Sequence, residues 1–333
     1  MIKGSKISVI GAGGWGTAIA IVANRAGAEV TLWTKNEKLC ENINKNRLND
    51  IYLSDIFIEP TINVTSELNE AVKADVIVLA IPAQAIRPFC ITLSDMVDIS
   101  LPLVIAAKGI ERGSLLLMSE VMSSILPSNP LLVLSGPNFA REAAMGLPTA
   151  TVIASDNLNI AEQFQFLIGG KHFRPYISDD MISVQIGGAI KNVIAIACGI
   201  AIGAGMGENA RAAIMTRGLR EMMRLAEVKG GRAETLRGLA GMGDLTLSCA
   251  SEQSRNMAFG VNIGKMSLDQ NKNKSYSWHS LTEGVMTAEA AYEISHKFGV
   301  PMPICVSVAD ILKNRISVKE GIDNLLSRPL GGE

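Results

Sequence analysis

Through the first 180 residues, short continuously apolar runs alternate with stretches whose apolar positions recur every three or four residues. The runs are KISVIG (6–11), EVTLW (29–33), ADVIVLAIP (74–82), LPLVIAAKG (101–109) and PLLVLSGP (130–137), and TATVIAS (149–155) and FRPYIS (173–178) extend the same sheet. A strand wetted on one face would alternate apolar and polar residues. Uninterrupted runs instead predict a parallel sheet covered on both faces. Helices are predicted over residues 17 to about 26 and over 158–168. From about residue 181 the pattern changes to long helices: a mostly apolar one around 191–204, another over 210–228, and others starting at Glu283 and Pro303. DQNKNKSY (269–276) reads as a polar loop and RPLGGE (328–333) as a tail. The predicted fold class is α/β. A Rossmann-like, mostly parallel sheet occupies 1–180, and a second, all-helical domain for substrate binding and catalysis occupies 181–333.

A chain of 333 residues exceeds the usual size of one hydrophobic unit, in keeping with two domains. Lys and Arg number 31 against 32 Asp and Glu, so no overall field draws the chain to nucleic acid or to an anionic membrane. A local anion pocket is untouched by that balance. The five cysteines form no CxxC pair, and only three histidines exist, so no metal centre is predicted. Dispersed free thiols suit a reducing compartment. Lys3 and Lys6 lead into a glycine turn before any long apolar signal core, and a cytoplasmic protein is expected. The most membrane-like stretch, VIAIACGIAIGAGMG (193–207), is short and rich in glycine. It predicts a buried core helix rather than a membrane span.

The first strand runs into GAGGWG, with Gly11, Gly13 and Gly16 in G-x-G-x-x-G spacing and Gly14 and Trp15 between. A strand before this cluster and a helix after it are the context in which the spacing means dinucleotide binding. Gly11 permits the tight turn, Gly13 lets the backbone approach a pyrophosphate, and Gly16 permits close helix–strand packing. Amides at the helix start then meet the phosphates. An NAD-preferring site often carries an acidic residue at the end of the second strand, where this chain reads Trp33, Thr34 and Lys35. Lys35 reads either as an attractor of an adenosine phosphate or as a solvent-facing lysine, so the cofactor is NAD or NADP.

In the second half, GGAIKNVIAIACG places Lys191 and Asn192 among apolar and small residues. Lys191 is either a snorkelling structural lysine or an acid/base lysine able to protonate the alkoxide left by hydride transfer to a carbonyl. GMGD holds Asp244 between slim glycines, as a hydrogen-bonding partner or a turn aspartate. Ser254, Arg255 and Asn256 read as an anion clamp or a solvated helix face. Lys108 ends a predicted strand, a position that favours function.

In order and spacing, GAGGWGTAIA, AAKGI, LSGPNFAREAAMGLPTA, GGAIKNVIAIACGI, GENARAAIMTRGLREM, GLAGMGDLTLSC and QSRN resemble the bacterial NAD(P)-dependent glycerol-3-phosphate dehydrogenases over nearly the whole length. The resemblance implies reversible reduction of dihydroxyacetone phosphate to sn-glycerol 3-phosphate by NADH or NADPH, without a metal and in a homodimer. It implies Lys191 as proton donor and acceptor, with Lys108, Asn192 and Asp244 beside the reacting oxygens. Substrate contacts fall at Gly136, Asn138, Ser254, Arg255 and Asn256. Cofactor contacts fall at Gly14, Trp15, Lys35, Lys108, Ala140, Arg255, Leu281 and Glu283. Two positions depart from common family patterns: Asn138 stands where Ser or Thr is frequent, and Lys35 where Arg or His is frequent. Two rival readings remain, reduction of another small phosphorylated or carboxylated ketone and a nicotinamide-binding regulator without turnover.

Overall fold

A computed structural model describes residues 4–268 and 283–327; the polar loop predicted at 269–276, the tail at 328–333 and Leu281 lie outside the described residues. The strands are β1 (Lys6–Ile10), β2 (Glu29–Trp33), β3 (Leu48–Asn49), β4 (Leu53–Phe57), β5 (Asn63–Thr65), β6 (Val76–Leu79), β7 (Leu103–Ile105), β8 (Leu131–Ser135), β9 (Thr149–Ala154) and β10 (Phe173–Ser178). The helices of the first half are α1 (Gly14–Arg25), α2 (Glu37–Asn46), α3 (Leu68–Ala71), α4 (Ile86–Ser94), α5 (Met118–Ser123), α6 (Ala140–Met145) and α7 (Leu158–Ile168). Those that follow are α8 (Met181–Gly203), α9 (Gly207–Val228), α10 (Asp244–Ala250), α11 (Arg255–Ser267), α12 (Glu283–Phe298), α13 (Pro303–Leu312) and α14 (Val318–Leu326).

Two compact units divide the chain. The first comprises residues up to Lys108 together with Leu116–Val184; the second comprises Gly109–Leu115 and residues from Gln185 onward. The division falls inside α8.

In the first unit, eight strands form one sheet in the order β10-β9-β8-β7-β6-β1-β2-β5. The strands predicted from apolar runs all take part, and every neighbouring pair is parallel except β8 with β9. Strands β6, β7 and β8 are buried at every position, which explains why their sequences do not alternate. From β1 the chain steps outward to β2 and β5, then returns to β6 and steps the other way. The carboxyl ends of β1 and β6 therefore flank the switch point where open α/β sheets bind ligands.

Several elements escape the hydrophobic pattern. Helix α1 starts at Gly14, three residues earlier than the pattern predicts, because glycines carry no apolar signal. Helix α2 is polar over most of its surface and is fixed by its cap, the Asn36 side chain accepting from the Leu39 amide at 3.1 Å. Strands β3 and β4 form a separate antiparallel hairpin, with a register irregularity at Leu48 and Asn49.

Among its described residues the second unit is helical. Helix α8 is long and apolar enough to cross a bilayer by length and composition, yet 94% of its most apolar window is buried within the protein. It is a core helix that starts ten residues before the predicted one. Helix α9 holds the start of α13 through Glu221, whose carboxylate accepts from the amides of Ile304 at 2.7 Å and Cys305 at 3.1 Å.

Candidate functional site

In the first unit, the functional geometry starts at the carboxyl end of β1. The Gly11 amide donates to the Trp33 carbonyl at 2.9 Å, tying the turn to the end of β2. Gly11 has φ +111°, in the region that favours glycine, and a Cβ there would lie 2.7 Å from the Ala80 carbonyl oxygen. A Cβ on Gly16 would lie 1.8 Å from the Gly11 carbonyl oxygen, so no side chain fits at the helix–strand contact. At Gly13 a Cβ would meet nothing within 4 Å, so this part of the turn is open to a ligand. Glycine is required at 11 and 16 by packing and left at 13 by access. That pattern fits a dinucleotide pyrophosphate approaching the start of α1.

Around this turn stand Ala140, at the start of α6, and Tyr52, in the β3–β4 hairpin. Both lie in ordinary contact range of a Cβ at Gly14, at 3.8 Å and 3.6 Å. Trp15 has a buried indole nitrogen without a partner among the described residues. Lys35 is exposed just past β2, on the same edge of the sheet. Lys108 follows β7, and its ammonium donates to the Gly136 carbonyl at 3.1 Å. The Asn138 amide donates to the Ala150 carbonyl at 2.8 Å, while its buried Oδ1 has no partner among the described residues. The fold thus gathers Gly136, Asn138 and Lys108 at the ends of two adjacent strands.

The second unit builds a different centre. Lys191 is only 8% exposed on α8, and its ammonium donates to Asp244 Oδ1 at 2.5 Å and to Ser248 Oγ at 2.8 Å. Asp244 is fully buried where a π-helical turn over Leu239–Gly243 runs directly into α10. The close approach of this segment to α8 depends on Gly187, one turn before Lys191. A Cβ there would lie 2.2 Å from the Ala240 carbonyl oxygen. Asn192 is buried beside Lys191, and its Oδ1 accepts from the Asn256 amide on α11 at 3.0 Å. Ser254 caps α11 by accepting from the Met257 amide at 3.3 Å, and its hydroxyl can still donate.

Arg255 is the first residue of α11 and is exposed. A cation at a helix N-terminus opposes the helix dipole. An anion at that position would be stabilised by the guanidinium and by the first amides together. Glu283, partly buried, begins α12. Cys249, next to Ser248, is held well above the ordinary thiol range by its hydrogen bond with Cys198 and by burial. It remains a neutral thiol near the Lys191–Asp244 pair and offers no nucleophile.

Of the residues singled out in the sequence, Lys191 is bonded to Asp244 and Asn192 to Asn256, two separate pairs that both start from α8, and Ser254 and Arg255 stand at the start of α11 next to Asn256. Gly11, Gly13, Gly14, Trp15, Gly16 and Ala140 form another group. Sequence reasoning passes over Tyr52 and Asn49, whose hairpin lacks both an Asn-Gly turn and clean alternation. Its only signal is the exposed apolar set of Ile51, Tyr52 and Phe57 in a short surface hairpin. No group of three His, Cys, Asp or Glu side chains that could hold a metal ion stands together among the described residues.

Comparison with known proteins matches the chain in two parts. The family described as NAD-dependent glycerol-3-phosphate dehydrogenase matches with its N-terminal part over residues 6–161 and its C-terminal part over residues 180–323. The chain is 44% identical over 326 residues to the glycerol-3-phosphate dehydrogenase [NAD(P)+] of Rhodospirillum rubrum, covering 97% of this chain and 93% of that relative. It is also 44% identical over 329 residues to the protein of the same name from Zymomonas mobilis, covering 98% and 94%. A crystal structure of glycerol-3-phosphate dehydrogenase from Coxiella burnetii superposes with a TM-score of 0.91 at 34% identity, covering 98% of this chain and all of that one. D-mandelate dehydrogenase, solved with NADH, shares the fold alone, with a TM-score of 0.59 at 14% identity.

Proposed function

The chain belongs to the NAD-dependent glycerol-3-phosphate dehydrogenase family, and on that premise we propose that it interconverts dihydroxyacetone phosphate and sn-glycerol 3-phosphate using NADH or NADPH. The observation that carries the chemical part of this reading is the buried Lys191, held by Asp244 at 2.5 Å and Ser248 at 2.8 Å. When bound, the nicotinamide cofactor supplies or accepts a hydride. Gly11, Gly13, Gly14, Trp15, Gly16 and Ala140 would hold its pyrophosphate end, with Tyr52 beside the same turn. Lys35 would attract an adenosine phosphate, and Arg255, Glu283 and Leu281 are further cofactor contacts carried over from the family resemblance.

On the substrate side, Lys191 donates a proton to the C2 oxygen as the carbonyl is reduced, and recovers it in the reverse direction. Asp244 and Ser248 orient the ammonium so that the proton is delivered to one atom. Lys108 and Asn192 stabilise charge developing on the reacting oxygens. Arg255, Ser254 and Asn256 anchor the substrate phosphate at the start of α11, with Gly136 and Asn138 contacting the rest of the molecule. Such anchoring turns several encounters into one organised arrangement. In this reading residues 1–180 serve as the dinucleotide-binding domain and 181–333 as the domain for substrate binding and catalysis.

The family resemblance supports a homodimer, and the five free, buried cysteines support a reducing, cytoplasmic setting. A solution mass near twice 35.4 kDa is the expected result for the dimer; a mass of one chain would contradict it. The activity is tested by following NADH and NADPH absorbance with dihydroxyacetone phosphate and with other small phosphorylated or carboxylated ketones. Turnover of dihydroxyacetone phosphate with the highest kcat/KM is the expected result. Preference for another ketone, or cofactor binding without any turnover, would replace this reading with one of its rivals.

A further inference from the structure

The side chain of Asn49 is fully buried in the β3–β4 hairpin, outside the main sheet, and its amide nitrogen makes two hydrogen bonds. One goes to the Ala12 carbonyl at 2.9 Å and the other to Thr17 Oγ1 at 2.8 Å. A backbone carbonyl only accepts, so the nitrogen and not the oxygen of the amide must face Ala12. Ala12 and Thr17 bracket the four residues Gly13, Gly14, Trp15 and Gly16. The first helical hydrogen bond of α1 runs from the Thr17 amide to the Gly13 carbonyl. The amides within the bracket therefore belong to the helix start, where no earlier carbonyl is available inside the helix.

The peptide between Ala12 and Gly13 is planar and trans, like every peptide in the described structure. In such a unit the C=O and N–H point in opposite directions. Holding the Ala12 carbonyl toward the hairpin consequently turns the Gly13 N–H away from it. Gly13 is also the turn position where an added Cβ would meet nothing within 4 Å. A glycine turn left to itself samples many backbone conformations, so a buried clamp on both sides of it has a clear use.

We infer that Asn49 is a positioning residue for cofactor binding: it clamps Ala12 and Thr17 so that the amides from Gly13 to Gly16 are presented to the cofactor pyrophosphate. Asn49 acts through the turn and touches neither the cofactor nor the reacting atoms. The inference rests on the dinucleotide-binding part of the proposed function, and not on which ketone is reduced. Its hairpin thus contributes to binding although it lies outside the sheet that carries the glycine turn.

The test compares wild type with Asn49→Ala, each shown to be folded by circular dichroism, using NADPH fluorescence and ADP-ribose competition. Loss of one buried clamp is expected to raise the dissociation constants for NADPH and ADP-ribose by about tenfold. With saturating NADPH, kcat and the KM for dihydroxyacetone phosphate are expected to stay within about twofold of wild type. A folded Asn49→Ala protein that binds NADPH as tightly as wild type overturns the inference, and so does a loss confined to kcat. If that variant does not fold, the isosteric Asn49→Asp decides. Its carboxylate cannot donate to Ala12, whereas its protonated form can, so NADPH affinity should recover toward wild type as pH falls. A deficit that does not change with pH, or no deficit at all, overturns the inference. Should wild type bind NADPH yet reduce no ketone, the substrate reading fails while the binding comparison still decides the role of Asn49.

Discussion

At the residue scale, Lys191 and Asp244 carry the proposed proton transfer and form a buried pair whose loss tests stability. Lys191, 8% exposed, has a fully buried carboxylate 2.5 Å away and Ser248 Oγ 2.8 Å away. Removing one member of such a pair leaves the other buried without compensation, which costs far more than losing an exposed pair. Asp244→Asn is therefore expected to lower unfolding stability by about 3 kcal/mol in urea titrations, together with a loss of turnover. A variant as stable as wild type would show that Lys191 finds another partner or reaches water. By contrast, the exposed pair of Arg141 and Asp55, whose arginine Nε lies 2.9 Å from Oδ2, contributes little to stability, because water already screens both charges.

At the scale of elements, α9 and α13 are joined by a titratable contact. Glu221 is 1% exposed, and burial pushes its pKa from 4.5 up to about 7, even though the amides of Ile304 and Cys305 and the nearby Arg224 favour the carboxylate. The folded chain therefore holds a proton that the unfolded chain has released between pH 4.5 and 7. Stability falls as pH rises through that window and levels off above about 7. A difference of that size corresponds to about 3 kcal/mol. Denaturant midpoints measured from pH 4.5 to 8 should show this contribution in wild type and lose it in Glu221→Gln. An identical pH dependence in the two proteins would show that Glu221 does not titrate in this range.

Elements also show what the amino-acid sequence makes legible. The central strands could be read because a doubly covered sheet requires continuous apolar runs, and β6 and β8 are buried at every position, whereas β3, β4 and β5 carry no such run and escape the pattern. Lys191 could be singled out because it is the lone charge in an apolar helix. The opposite direction of β9 relative to β8 could not be read, since both orientations bury the same side chains. Nor could the roles of Asn49 and Tyr52. Neither belongs to a periodic pattern, and each acquires meaning only when the hairpin folds against a turn more than thirty residues away. The bond between Asn192 and Asn256 likewise depends on the packing of α8 with α11, which no local spacing encodes.

For the molecule as a whole, a formal charge of −1 provides no general attraction for an anionic cofactor or an anionic substrate. In the proposed reading binding comes instead from local groups at element ends: in the first unit the start of α1, Lys35 after β2 and Lys108 after β7, and in the second Arg255 at the start of α11. Close relatives over nearly the full length place the whole chain, and not one motif, in a dehydrogenase family. The claim that organises these parts is that Lys191 moves the proton that accompanies hydride transfer. Its most direct test is the steady-state rate of dihydroxyacetone phosphate reduction by wild type and Lys191→Ala, both of verified fold and saturated with NADPH. The expected result is a fall in kcat of about a hundredfold or more, with the dissociation constant for NADPH retained. Turnover by Lys191→Ala within a few-fold of wild type would contradict it.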